Sequence, residues 1–287
     1  MTGASSLQEL LDRVTARVAR VGGISAIVLG GSHARGSADS NSDIDIGLYY
    51  EPAQPFSIDE LSRAAEELDD RHQPGLVTGF GEWGPGVNGG GWLVIDGRHV
   101  DFLYRDLGAV RQAIDECLSG RPRAIYQLGH PLGFQNQIYA GEVNCCRPLY
   151  DPQSAIAGLK SLVSDYPDAL REAVIEKHLF DAGFELAIAD KPAARGDVMY
   201  VAACLFRAAG FMMLVLYALN RRWFINEKGA LADSRSFALA PDRFHATIER
   251  VLGNPGIGAA QLAYSIAQFQ DLLGDLSALA MRLPVRR

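Results

Sequence analysis

Two carboxylates on one edge of a short apolar run constrain this chain more than any other feature. They are Asp43 and Asp45 in the run Gly30-Gly31-Ser32-His33-Ala34-Arg35-Gly36-Ser37-Ala38-Asp39-Ser40-Asn41-Ser42-Asp43-Ile44-Asp45-Ile46. On a strand, residues two apart share a face. Ile44, Ile46 and Leu48 therefore point together into a core, and the two acids point the other way. Two carboxylates so placed repel each other unless a cation or solvent compensates. The competing reading, two solvated acids on an exposed strand, runs against the depletion of aspartate in strands. Upstream, Gly30 and Gly31 allow close backbone approach, Ser32 adds a hydroxyl donor, and amides opening a helix favour phosphate. Gly31 and Gly36 match the G-x-x-x-x-G spacing of a P-loop, but Ser37-Ala38 replace its Lys and Ser/Thr, which excludes that motif. Mg²⁺ is held by carboxylates together with substrate phosphates, so the run has the parts of a metal-dependent phosphoryl or nucleotidyl transfer site.

A third acid, Asp101, lies in Arg98-His99-Val100-Asp101-Phe102-Leu103-Tyr104, with Val100 and Phe102 on the opposite face. If that strand neighbours the first, three carboxylates converge, enough for two metals sharing a ligand. Asp101 then binds the metal that activates an attacking hydroxyl, or takes its proton. Asp96 belongs to a turn and is left out.

The length of 287 residues suggests two domains. Ser6-Leu7-Gln8-Glu9 is a capping box opening a helix to about Arg20, and Ser57-Ile58-Asp59-Glu60 opens another to about Asp70. Strands are expected at 24–29, 44–50, 76–80, 91–95 and 99–104, the last two joined by a hairpin at Asp96-Gly97. Residues 84–91, Gly-Pro-Gly-Val-Asn-Gly-Gly-Gly, read as a flexible loop. Beyond Asp106 the pattern is helical, with helices near 107–118, 153–164, 168–190, 197–222, 241–252 and 256–282. The expected class is α+β: a mixed sheet flanked by helices over residues 1–150, then an all-α bundle over 151–287. The boundary falls at Tyr150-Asp151-Pro152.

Charge divides the chain in the same place. Residues 1–150 hold 19 acidic and 12 basic side chains, whereas 151–287 hold 15 of each. The acidic half is a poor surface for nucleic acid and suits a small cationic partner. The apolar stretch Val198–Leu219 carries Arg207 near its middle, at a cost of about 2.5–3.5 kcal/mol in a bilayer centre. It is read as the central helix of a bundle, with its Phe206, Phe211, Met212, Met213 and Tyr217 stripe as core packing. No signal peptide is apparent at Met1–Ser6, and Cys117, Cys145, Cys146 and Cys204 lack metal-ligand spacing. A cytoplasmic protein with reduced thiols is expected.

The ordered set of Gly31-Ser32, ten intervening residues, Asp43-Ile44-Asp45, and Asp101 on a later strand resembles the nucleotidyltransferase superfamily that includes DNA polymerase β. The resemblance covers about residues 24–105. It implies two Mg²⁺ ions held by Asp43, Asp45 and Asp101, and transfer of a nucleoside monophosphate from ATP or another NTP with release of pyrophosphate. Gly31, Ser32 and Ser42 would contact the nucleotide. The two-part layout is similar to the bacterial aminoglycoside adenylyltransferases, which act in antibiotic resistance. Phe80-Gly81-Glu82-Trp83 resembles the segment carrying their catalytic base, and Asn226-Glu227-Lys228 their triphosphate-binding lysine. The resemblance thus implies Glu82 as general base and Lys228 as phosphate ligand, with Arg221 and Arg222 in the same basic cluster. The loop after Trp83 departs from that pattern, and a third acid at Asp101 is more like the polymerase-type site. Whether Glu82 or Asp101 is the base therefore stays open.

The expected activity is transfer of AMP to a hydroxyl of a small cationic acceptor, aminoglycoside-like in character. Two other readings stand beside it: a toxin- or antitoxin-type nucleotidyltransferase acting on protein or tRNA, and a non-catalytic nucleotide-binding module. The sequence leaves the acceptor, the NTP and the oligomeric state open.

Overall fold

A computed structural model describes residues 6–282. Residues 1–5, which hold most of the stretch where no targeting segment is expected, lie outside the described residues. The chain forms two compact units, residues 1–116 with 123–165, and residues 117–122 with 166–287. The first unit runs on beyond the turn at Tyr150-Asp151-Pro152 to Asp165.

The first unit is built on a five-stranded mixed sheet: β1 (Ile24–Leu29), β2 (Ile44–Tyr50), β3 (Gly90–Ile95), β4 (Arg98–Asp106) and β7 (Arg147–Tyr150), in the order β3-β4-β2-β1-β7. Only β2 and β4 run parallel. One face is covered by α1 (Leu7–Val18) and α3 (Ile58–Leu68). The Ser6 capping box is formed, and Leu10, Leu11, Val14 and Val18 bury one stripe of α1. They pack with Leu61, Ala64 and Ala65 of α3 against Ile44, Ile46, Leu48, Val100 and Phe102. With that face closed by apolar side chains, the alternate residues of β2 and β4 are left for chemistry.

Three expectations change. The stretch 76–80 is not a strand: Val77 makes one bridge with Gly91, and Thr78 N–H donates to Gly90. Glycines at 79 and 81 stop it there. Residues 84–91 are not a loose loop, because buried side chains bind their backbone. Beyond Asp106, the pattern is helical only in part. After α4 (Leu107–Leu118) come the hairpin β5 (Ala124–Gln127) and β6 (His130–Gln135), then α5 (Gln137–Cys145) and β7, then α6 (Ala155–Leu162). β7 is a short edge strand containing Pro148, so it lacks the alternation of a half-buried strand.

The second unit is helical: α7 (Asp168–Ala194), α8 (Val198–Leu219), the short α9 (Ala230–Asp233), α10 (Phe244–Gly253) and α11 (Ala259–Met281). Among the described residues α8 is long and apolar enough to cross a membrane. It is buried along much of its length against α7, α10 and α11, with Phe211, Met212, Met213 and Tyr217 in the core and Phe206 partly exposed. The protein is α+β.

Candidate functional site

The register of the sheet assembles the acids. In the parallel pair β2–β4, Asp45 lies directly opposite Asp101, and Ile44 and Ile46 lie opposite Val100 and Phe102. Neighbouring strands are about 4.8 Å apart, so the two carboxylates are adjacent on the face turned away from the core. Asp43 precedes β2 and is exposed. Among the described residues, no group of three His, Cys, Asp or Glu side chains is close enough to hold an ion. The structure thus brings Asp45 and Asp101 together as the central pair, with Asp43 at its margin.

Burial holds the Asp45 carboxyl above its ordinary value, and the nearby charges of Glu142 and Asp43 push the same way, against Arg105 and His33. A carboxylate in that position has an excess of negative charge around it. The donors are all hard oxygens. That set fits Mg²⁺, which takes one or two protein carboxylates and completes its shell with water and substrate phosphates.

The Gly-Ser segment is more ordered than a plain loop. It forms the five-residue helix α2 (Gly31–Arg35), closed by Gly36 in the left-handed conformation. Gly31 itself has φ +57°, and a Cβ there would fall 1.7 Å from Asp45 Oδ2. Only glycine allows the start of α2 to lie against the carboxylate. Gly30 N–H donates to the Asp45 carbonyl at 2.8 Å, tying β1 to β2 at this level. Ser32 is half-buried beside them. The Ser42 hydroxyl is engaged with Asp39: it accepts from the Asp39 amide at 3.0 Å and donates to Oδ1 at 3.3 Å.

Glu82 is in an exposed turn, against Gly79, and its charge acts on the Tyr104 phenol, whose ring belongs to the core face. Its neighbour Trp83 stacks on Trp92. Lys228 is exposed in the second unit, in a turn closed by its amide donating to Asn226 Oδ1 at 2.9 Å. Arg221 pairs with Asp168 and donates to the Tyr166 carbonyl at 3.2 Å, tying the end of α8 to the start of α7. Trp223 packs on Tyr166.

Sequence reasoning passed over Arg105 and Glu142. Arg105 is on the same face of β4 as Asp101, is 4% exposed, and makes two 2.8 Å bonds to Glu142 of α5. Its parity with Asp101 is visible in the sequence, but Glu142 comes from a helix without a clear periodic pattern. Burial pushes the thiols of Cys145 and Cys204 up to about 11 and that of Cys146 to about 12, so none is a thiolate nucleophile at neutral pH.

Residues 7–80 match the family model of a nucleotidyltransferase domain. This segment contains Gly31, Ser32, Ser42, Asp43 and Asp45. Residues 140–228 match a second model, a domain of unknown function, DUF4037. No curated protein matches the chain. Among solved structures, the chain is similar to a nucleotidyltransferase-like protein from Exiguobacterium sibiricum 255-15 at 9% identity, over 94% of this chain and 78% of that one, with a TM-score of 0.38. That likeness is too distant to bear on function.

Proposed function

Residues 7–80 match a nucleotidyltransferase domain, and from that premise we propose that this protein is a Mg²⁺-dependent adenylyltransferase acting on a hydroxyl of a small cationic molecule. The observation that carries the reading is the in-register pair Asp45–Asp101, with the start of α2 held against Asp45 by a glycine that no other residue can replace.

In the proposed reaction the acceptor oxygen bonds to the α-phosphorus of ATP. The α–β anhydride bond breaks, pyrophosphate leaves, and the hydroxyl proton passes to a carboxylate. Asp101 is the proposed recipient, because it sits in the carboxylate row while Glu82 lies beside Tyr104. Asp45, with Asp43, would hold Mg²⁺, which when bound neutralises phosphate charge. Two ions are proposed, with Asp101 completing the second. Gly31 and Ser32 would border the phosphates, and Ser42 would close the 39–42 turn next to them.

The negative charge of the first unit supports a cationic acceptor over nucleic acid. An aminoglycoside-like amine meets that description and carries the proposal of an antibiotic-resistance role. The four free cysteines agree with a cytoplasmic setting.

The test is a pyrophosphate-release screen of the purified chain, with four NTPs against a panel of hydroxylated amines. Turnover should require Mg²⁺ and favour ATP. Asp45→Asn should lower it at least ~1000-fold, on the scale expected for loss of a metal ligand's charge stabilisation, with an unchanged circular dichroism spectrum. Wild-type turnover in that variant would overturn the assignment.

A further inference from the structure

One row across the open face reads Trp92, Asp101, Asp45. Trp92 of β3 pairs with Asp101 of β4, and Asp101 pairs with Asp45 of β2. Directly opposed residues on neighbouring strands project to the same face. Leu93 and Ile95, which alternate with Trp92, are buried in the core on the other side. The Trp92 indole therefore lies on the carboxylate side. It is 64% exposed and stacks on Trp83, with centroids 4.7 Å apart and planes at 25°.

Both indoles stand on backbone that buried polar groups hold in place. Gln127 of β5, 3% exposed, donates to the Trp83 carbonyl and accepts from the amides of Gly86 and Val87 at 2.9 and 3.3 Å. Tyr139 of α5 donates to the Gly86 carbonyl at 2.7 Å, and Arg105 to that of Val87 at 3.3 Å. On β3, buried Asp69 accepts from the Val94 amide at 2.7 Å while paired with Arg71. A surface held this way gives up little conformational freedom when a ligand lands on it.

The row also has a direction. The start of α2 lies against Asp45, at one flank of the carboxylate pair. The indoles border Asp101, at the other. We infer that the stacked Trp83–Trp92 pair is the acceptor platform, taking the face of a cationic, hydroxylated ring and setting one of its hydroxyls beside Asp101. The inference rests on the reading of the site as a nucleotidyltransferase centre. The chemistry of recognition follows from the surroundings: indole faces attract cations and the C–H faces of rings, and the adjoining carboxylates add negative charge.

The test is a binding measurement on the full chain carrying Trp223→Phe, so that indole emission reports Trp83 and Trp92 alone. The probe is glucosamine, protonated at neutral pH, with glucose as its uncharged counterpart; MgATP affinity is measured separately by equilibrium dialysis. Glucosamine should bind about tenfold more tightly than glucose, and Trp92→Ala should weaken it about tenfold, the size of one cation–π contact. Trp92→Phe should keep most of the affinity, and MgATP affinity should hold in both. Trp92 is exposed, so both variants should melt as the parent does. No response to glucosamine, or an equal loss of MgATP affinity in Trp92→Ala, would overturn the inference, the second by assigning the indoles to the nucleotide base. If pyrophosphate release proceeds with unchanged acceptor KM in Trp92→Ala, the platform fails and the enzyme reading stands. Loss of glucosamine binding in a protein that releases no pyrophosphate would do the reverse.

Discussion

Two glycine-rich segments flank the carboxylate row, and they are held by different means. Residues 30–42 carry three glycines, and the 39–42 turn closes on itself: Asp39 accepts from the Asn41 amide, and Ser42 closes on Asp39. Residues 79–91 carry seven glycines, and besides the local bonds of Thr78 and Asn88 they are bound by groups from β4, β5 and α5. The richer segment is the more firmly held. Its glycines let backbone approach backbone and side chain: a Cβ on Gly90 would fall 1.9 Å from the Phe102 carbonyl, and one on Gly86 would fall 2.5 Å from the Phe134 ring. Glycine here marks close approach, and mobility depends on whether the amides then find partners.

The strongest way to break that contrast is at the ion pair behind the second segment. Arg105 donates to Val87 and is almost wholly buried, with Glu142 as its counter-charge. Glu142→Gln leaves a buried guanidinium without a partner charge. Removing one member of a buried pair costs about 3–5 kcal/mol, and the lower figure applies because Glu142 is 25% exposed. Urea denaturation should show that loss. An unchanged midpoint would mean the segment does not depend on the pair.

Next in size is Gln127→Ala. The Gly86 and Val87 amides and the Trp83 carbonyl would lose their shared partner, at about 2 kcal/mol for buried groups left unsatisfied. Hydrogen exchange at the Gly86 and Val87 amides should accelerate, and the near-ultraviolet dichroism of the stacked indoles should fall. Protection as in wild type would show that the segment holds itself.

How much of this was legible in the chain differs between the two segments. The placement of Asp45 on the face opposite Ile44 and Ile46 follows from the two-residue period of a strand, whereas Asp43 precedes the strand. The adjacency of Asp45 and Asp101 is a matter of register between strands separated by α3 and β3, and no local pattern states it. Trp92 entered the carboxylate row by the same route. The supports of the second segment were hidden for another reason. Nearly every residue of α5 from Gln137 to Val143 is buried, so the helix shows no polar stripe to mark Glu142. Read without Gln127 and Tyr139, the run 84–91 looks like a loose loop.

The smallest effect has the opposite sign and tests what the first segment is built around. Asp45 is raised above the ordinary aspartate value of 3.8, chiefly by burial. Between that value and its folded pKa the native state binds more protons than the unfolded chain, so stability falls as pH rises through the window and stays lower above it. In chelator, Asp45→Asn should therefore be more stable than wild type at neutral pH, and the advantage should vanish as pH drops below the ordinary carboxylate range. Denaturation midpoints across pH would read it, as a gain smaller than the loss in Gln127→Ala. Added Mg²⁺ should then favour wild type alone, because an ion bound only to the native state stabilises it by mass action. If Asp45→Asn destabilises the protein in chelator, the carboxylate is a structural group like Asp69, whose pKa Arg71 holds down at about 2. The two segments would then not differ in kind. A gain in chelator that reverses with Mg²⁺ would mark Asp45 as a group kept for its ligand at the expense of the fold.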